Sequence, residues 1–148
     1  MTASARSIAL AEAAVVAAAD KLATDLAIID VSDQLVITDC FVLASAPNDR
    51  QVRAVVDAIE ERLRTLGAKP VRREGEREGR WVLLDFIDII VHVQHSEERV
   101  YYSLERIWKD CPVVELPEAV REHNQRRASA TGDSRSDVVH HGITGAAS

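Results

Sequence analysis

Residues 48–66 constrain the fold of this chain more than any other stretch. Val52, Val55, Val56, Ile59, Leu63 and Leu66 recur at three- and four-residue spacing and draw one apolar stripe along an otherwise charged helix. Asn48 with Gln51 three positions on resembles a capping box, Gly67 stands where a left-handed C′ residue ends a helix, and Pro70 prevents the helix from resuming. Such a stripe is stable only when buried, so the rest of the chain has to supply a surface for it.

The remaining pattern predicts that surface as a sheet. Ser4 to about Leu26 carries a second helical stripe of Ile8, Ala11, Val15, Ala18, Leu22 and Leu26, with Ser4 or Ser7 as cap. Apolar runs at Ala27–Val31, Cys40–Ala44, Trp81–Phe86 and Ile89–Val93 read as strands, and Lys69–Arg73 as an edge strand. Ser32-Asp33-Gln34 reads as a turn, Leu35-Val36 leads toward the second strand, and Glu74 to Gly79 is an exposed polar turn. Ser96 to Trp108 reads as a helix capped by Ser96. The order α-β-β-α-β-β-β-α predicts an α/β (α+β) fold, a mixed β-sheet flanked by helices. Both alternate sets of Trp81–Phe86 are largely apolar, which predicts a central strand covered on both faces.

With 148 residues, the chain fits one domain and a tail. The compact region is expected to span residues 1–111 and to end at Cys111-Pro112. Residues 112–148 form an extension, with a polar helix from Pro117 to about Ala128 and then a stretch too small and polar to pack. A net charge of −6 argues against broad, sequence-blind binding to nucleic-acid backbones. Cys40 and Cys111 lack paired spacing, so a reduced, cytoplasmic protein is expected. Glu12, Asp20 and Lys21 interrupt the Ala-rich start, which is unlike a signal peptide, and no apolar run is long enough to span a membrane.

Chemistry is sparse. His92 and His95 are three apart on a strand and point to opposite faces, so they do not share a metal, and His140-His141 has no acidic or Cys residues to complete a site. Asp85 and Asp88 border a strand turn. A metal-dependent phosphoryl-transfer site there would need a Gly-rich cradle before a helix, and none of the six glycines is so placed. No nucleophile elbow occurs, and Cys40 lies inside an apolar run. No metal or cofactor is expected. By contrast, both tryptophans and both tyrosines fall between Glu74 and Trp108. Aromatic clustering of this kind marks a core centre or a contact surface. Glu74-Gly75 reads either as a solvated hairpin, Gly75 supplying a positive φ, or as an acidic loop that meets a basic partner.

These residues also carry a family pattern. Thr38-Asp39-Cys40-Phe41-Val42-Leu43-Ala44-Ser45 resembles the T-D-Y-F-V-I-A-S segment of the ribosomal silencing factor, or Iojap-like, family. Glu74-Gly75, Trp81-Val82-Leu83-Leu84-Asp85, Asp88 to Val93, and Arg99 through Tyr102, Leu104, Glu105 and Trp108 are similar to its later segments, in order. The resemblance implies a nucleotidyltransferase-like fold without the catalytic motif, and hence no enzyme activity. It implies binding to the large-subunit ribosomal protein L-fourteen, steric blockade of subunit joining, repression of translation and a part in large-subunit maturation. Trp81 is then expected as the aromatic anchor, with Asp85, Glu74, Tyr102 and Glu105 as polar contacts, while Asp39, Gly75, Asp88 and His92 are structural. A bare apolar partner surface also makes a homodimer plausible. Three departures stand out: Cys40 replaces the usual Tyr; Ile87 stands where the family commonly has Gly, so that turn is expected to adopt another geometry; and the tail beyond about Cys111 is longer than the family core needs. The rival readings are an active nucleotidyltransferase using Asp85 and Asp88, and a cytosolic adaptor with some other partner.

Overall fold

Ser4 opens the first helix. Its side-chain oxygen accepts the Ser7 N–H at 3.1 Å, and α1 runs Ala5–Asp20. The computed structural model describes residues 2–75, 80–97, 106 and 108–126. The expected continuation of α1 to Leu26 does not occur. The Ala23 N–H reaches back to the Ala18 carbonyl at 3.0 Å and the Leu22 N–H to Ala19 at 2.9 Å, a Schellman ending with Leu22 at φ +64°. Periodicity alone carried the stripe onward, but Leu22 is exposed and Leu26 faces the core from a strand.

That strand is β1 (Thr24–Asp30), irregular between Thr24 and Ala27, where Asp25 takes φ +50°. The chain then crosses a turn-rich loop to β2 (Cys40–Ala46), buried along its whole length. Leu35-Val36 belongs to that loop and not to β2, and Val36 points fully into solvent. The helix α2 follows (Asp49–Thr65), with Asn48 Oδ1 accepting the Gln51 N–H at 2.8 Å. Gly67 ends it as expected, at φ +84°, with the Ala68 N–H on the Leu63 carbonyl at 2.9 Å. The strands β3 (Arg72–Glu74), β4 (Trp81–Asp85), β5 (Ile89–His95) and the short β6 (Val113–Val114) complete the described elements.

The sheet has the order β3-β4-β5-β2-β1-β6. It is mixed: β2 runs parallel to β5, and every other pair is antiparallel. Cys40, Val42, Ala44, Val82, Leu84, Ile89, Val91 and Val93 face the two helices and form the main core with Leu10, Val15, Val52, Ile59 and Leu63. The Cys40 thiol lies in this layer. Burial pushes its pKa up to about 12, which leaves it an inert apolar group.

Packing does not stop at Cys111-Pro112, as the composition of the tail suggested. The Pro112 carbonyl accepts the Asp30 N–H at 2.9 Å, and β6 pairs with Ile28 and Ile29. Residues 118–126 are helical and place Val120 in the core. Asn124 accepts the Leu26 N–H at 2.9 Å and donates to the Leu26 carbonyl at 3.3 Å, standing in for a further strand. His123 Nε2 donates to the Ala23 carbonyl at 2.7 Å. The physical reason is the exposed edge of β1, whose backbone groups need partners.

Two carboxylates lock the start of α1 to the sheet. Asp39 Oδ2 accepts the Ser4 N–H at 3.0 Å and the Ser7 hydroxyl at 2.8 Å, and Asp30 accepts the Ala3 N–H at 3.0 Å and the Ser32 hydroxyl at 2.6 Å. The Ser4 N–H and the Ser7 hydroxyl hold the Asp39 pKa below the usual carboxylate value against opposing burial. Burial raises that of Asp30, but the hydrogen bonds from Ser32 and Ala3 outweigh it and leave the group lowered as well. Groups depressed in the folded state stabilise above their unfolded pKa, and that contribution is lost as pH falls through the folded value. Acidification below the ordinary carboxylate range is therefore expected to lower the melting temperature, and Asp39→Asn should flatten part of that slope in melts followed by circular dichroism.

Candidate functional site

The sheet face turned away from α1 and α2 carries the aromatic residues. Four rings step across it. Trp108 meets Phe41 edge-on with centroids 5.4 Å apart, Phe41 meets His92 at 5.0 Å, and His92 meets Trp81 at 6.2 Å. Register explains the row: Trp81 and Leu83 on β4 lie opposite Gln94 and His92 on β5, and Leu43 on β2 lies opposite His92. Trp81 Nε1 donates to His92 Nδ1 at 3.3 Å, so the His92 lone pair sits on Nδ1 and fixes the indole orientation. His92 is buried, while His95 lies on the other face and takes the Glu97 N–H at 3.1 Å. Among the described residues, no group of three His, Cys, Asp or Glu side chains is gathered to hold a metal ion, and no helix is long and apolar enough to cross a membrane.

Coverage of this face is uneven. Ile29, Val31, Phe41, Leu43 and Ile90 are buried under Leu35, Trp108 and Cys111. Toward the β3 edge the cover thins, and Trp81, Leu83 and Asp85 are half-buried. The expectation of a strand covered on both faces therefore fails for β4. It is the second strand from the edge, and only its Val82 and Leu84 side is sealed by helices. Glu74 sits opposite Leu83, as the last residue of β3 and not in the turn, and Arg72 sits opposite Asp85. Trp81, Asp85 and Glu74 thus share one face, with Trp81 and Asp85 about 13 Å apart along the strand.

The acidic groups are not bare. Arg72 Nε lies 3.3 Å from Glu74 and its Nη2 lies 3.8 Å from Asp85. Sequence reading missed Arg72 because its partner is thirteen residues on and becomes a neighbour only through strand pairing. The pairs are exposed and contribute little stability, but they leave one cation between two carboxylates on the surface. On the helix side, Arg73 reaches Glu60 of α2 at 2.6 Å and ties the edge strand to the body.

Two turns hold the β4 ends. Gly75 has φ +84°, and a Cβ added there would come 1.9 Å from the Trp81 carbonyl oxygen, so only glycine fits beside Trp81. At the other end, Ile87 does take a positive φ, +74°, contrary to the expectation that a β-branched residue would change the turn geometry. The Asp88 N–H bonds the Phe86 carbonyl at 2.9 Å across Ile87, a γ-turn, and Asp85 Oδ1 accepts the Ile87 N–H at 2.8 Å. These bonds outweigh the local strain. Ile87→Gly is expected to stabilise the fold by about 1 kcal/mol, the relief of a left-handed β-branched residue less the added unfolded-state entropy, as read from denaturant midpoints. Asp88 serves through its backbone, its carbonyl taking the Asp39 N–H at 3.0 Å. Tyr102 and Glu105 lie outside the described residues.

The RsfS family model, described as ribosomal silencing factor during starvation, matches residues 4–140. The ribosomal silencing factor RsfS of Bacillus subtilis (strain 168) is 37% identical over 97 residues, 66% of this chain and 82% of the relative. Among solved structures, a Bacillus halodurans protein is 34% identical with a TM-score of 0.65, covering 74% of this chain and 99% of that one. A Chromobacterium violaceum protein is 29% identical with a TM-score of 0.66, covering 69% and 85%. With a match spanning nearly its whole length and a fold shared with these structures, this chain belongs to the ribosomal silencing factor family.

Proposed function

We propose that the protein binds the basic ribosomal protein L-fourteen on the large subunit through the open part of the aromatic face, and so keeps the small subunit from joining. One observation carries this reading: Trp81 is half-buried, held by His92 and by the Gly75 turn, and flanked by Leu83, Glu74 and Asp85 on the same face. A rigid aromatic ringed by polar groups is the usual make-up of an interface hot spot, and the net charge of −6 favours encounter with a basic partner. Silencing then needs no bond to be made or broken, no cofactor and no enzyme activity. It is a matter of occupancy in the cytoplasm, with effects on translation and on large-subunit maturation. A free protein with this face bare also pairs with itself, as a homodimer.

The test is subunit joining followed on sucrose gradients, with and without excess protein. Loss of the joined ribosome peak is expected, together with co-sedimentation of the protein with large subunits and retention on immobilised L-fourteen. Undiminished joining, or sedimentation away from large subunits, would falsify the blocking role and leave an adaptor for another partner.

A further inference from the structure

Among the described residues seven large apolar side chains are exposed, and five of them, Val36, Ile37, Val71, Ile87 and Val113, belong to one end of the sheet. Topology places them there. The strands β2 and β5 start at this end, β1 and β4 finish at it, and β3 and β6 begin at it. Backbone bonds join the connecting segments: the Asp39 N–H to the Asp88 carbonyl at 3.0 Å, the Val71 N–H to Asp85 at 2.8 Å, and the Asp30 N–H to Pro112 at 2.9 Å.

The tip is built to stay in place. Gln34 and Leu35 both donate to the Val31 carbonyl, Val31 donates to Asp39, and Leu35 packs on the aromatic-face cluster. Val36 and Ile37 are forced outward by a loop whose base is fixed, so a partner meets them with little ordering cost. Ile87, in the neighbouring turn, keeps an exposed branched side chain at a strained φ although glycine would be easier there. Residues 31–39 and 86–88 contain Asp33, Asp39 and Asp88 and no cation; Lys69, Arg72, Arg73 and Lys109 stand at the margins beside Val71 and Val113, where Arg72 is paired with Glu74 and Asp85 and Arg73 with Glu60. An anionic lipid surface or a phosphate backbone is repelled by such a ring. A second copy docked by the same end would set like carboxylates against each other.

We infer that this acid-ringed apolar rim is the second half of the docking surface, and that it takes apolar side chains set among lysines and arginines on the same basic ribosomal protein that meets Trp81. The inference rests on the proposed function. The open part of β3–β4 offers Trp81, Leu83 and Asp85 with their edge partners, far short of the roughly 20–30 residues and about 800 Å² per partner of a specific interface. Asp85 joins the two parts: its side chain lies on the Trp81 face, and its Oδ1 holds the Ile87 turn.

The experiment measures co-sedimentation of the full chain with purified large subunits. The triple variant Val36→Ser, Ile37→Ser, Ile87→Gly is expected to bind at least about tenfold more weakly while melting no lower than the unaltered chain. Asp33→Lys with Asp88→Lys should weaken binding similarly and reduce its salt dependence. If the unaltered chain binds and the triple variant binds equally well, the rim is no part of the interface, whatever Trp81 does. If the unaltered chain fails to bind, the proposed function falls and the rim assignment with it. If the triple variant instead converts a self-associated free protein to monomer with ribosome binding intact, the rim's occupant is a second copy and the assignment is overturned.

Discussion

Gly75→Ala is expected to destabilise the protein by about 3 kcal/mol, near the upper end for strain at a special backbone position. Two effects add. The residue must stay at φ +84°, which an L side chain resists, and the new methyl carbon would lie 1.9 Å from the Trp81 carbonyl oxygen. The obstacle is backbone, so no rotamer change relieves it. Either β3 peels away from β4 or Trp81 moves, and each outcome loosens the Arg73–Glu60 tie to α2. Urea unfolding should show the lowered midpoint. Hydrogen exchange should place the faster amides in residues 72–74 and 81–85, leaving β1 and β2 protected. A Gly75→Ala protein as stable as the original would mean that the hairpin adapts at no cost and that this glycine is incidental.

Trp81→Ala carries the second large effect. Affinity for large subunits should fall by about 2 kcal/mol or more, roughly thirtyfold, because a rigid aromatic anchor is truncated to a methyl group. The same change removes the Nε1 bond to His92 and part of the cover over Leu83, so some loss of stability is expected as well. The two losses are separable. Trp81→Phe keeps a ring against His92 and should melt close to the original, yet it binds more weakly because the indole area and its N–H are gone. Folded Trp81→Ala protein that holds L-fourteen with undiminished affinity would rule out the anchor role.

Both predictions turn on neighbours that are distant along the chain, and this marks what could be read in advance. The stripe and caps of α2 were legible because a helix is a local object: Asn48, Gln51, Gly67 and Ala68 act within a turn or two of one another. The four apolar runs were legible as strands for the same reason. The end of α1 was not, since Leu22 has no business at a left-handed position on propensity, and only the demand that Ala23 enter a strand pulls it there. The role of residues 112–126 was hidden by their polarity. Asn124 reads as one more polar position of the expected helix from Pro117 until the backbone of Leu26 appears beside it.

At the candidate site the division is the same. Sequence pattern put Trp81 and Asp85 on one strand and Glu74 in the turn before it; strand register moved Glu74 onto β3, opposite Leu83. Arg72 between the acids, the His92 bond that orients the indole, and the gathering of Val36, Ile37 and Ile87 on one rim depend on register and strand order. The amino-acid order by itself determined α2, the start of α1, the four apolar strands, the aromatic segment and, through motif order, the family; the expected helix over Ser96–Trp108 lies mostly outside the described residues. Tertiary structure alone decided which face of β4 stays open and which loops meet. Hydrophobic periodicity reports that a side is buried but carries no information about what buries it, whereas pairing across the sheet brings together residues whose separation along the chain leaves no local trace.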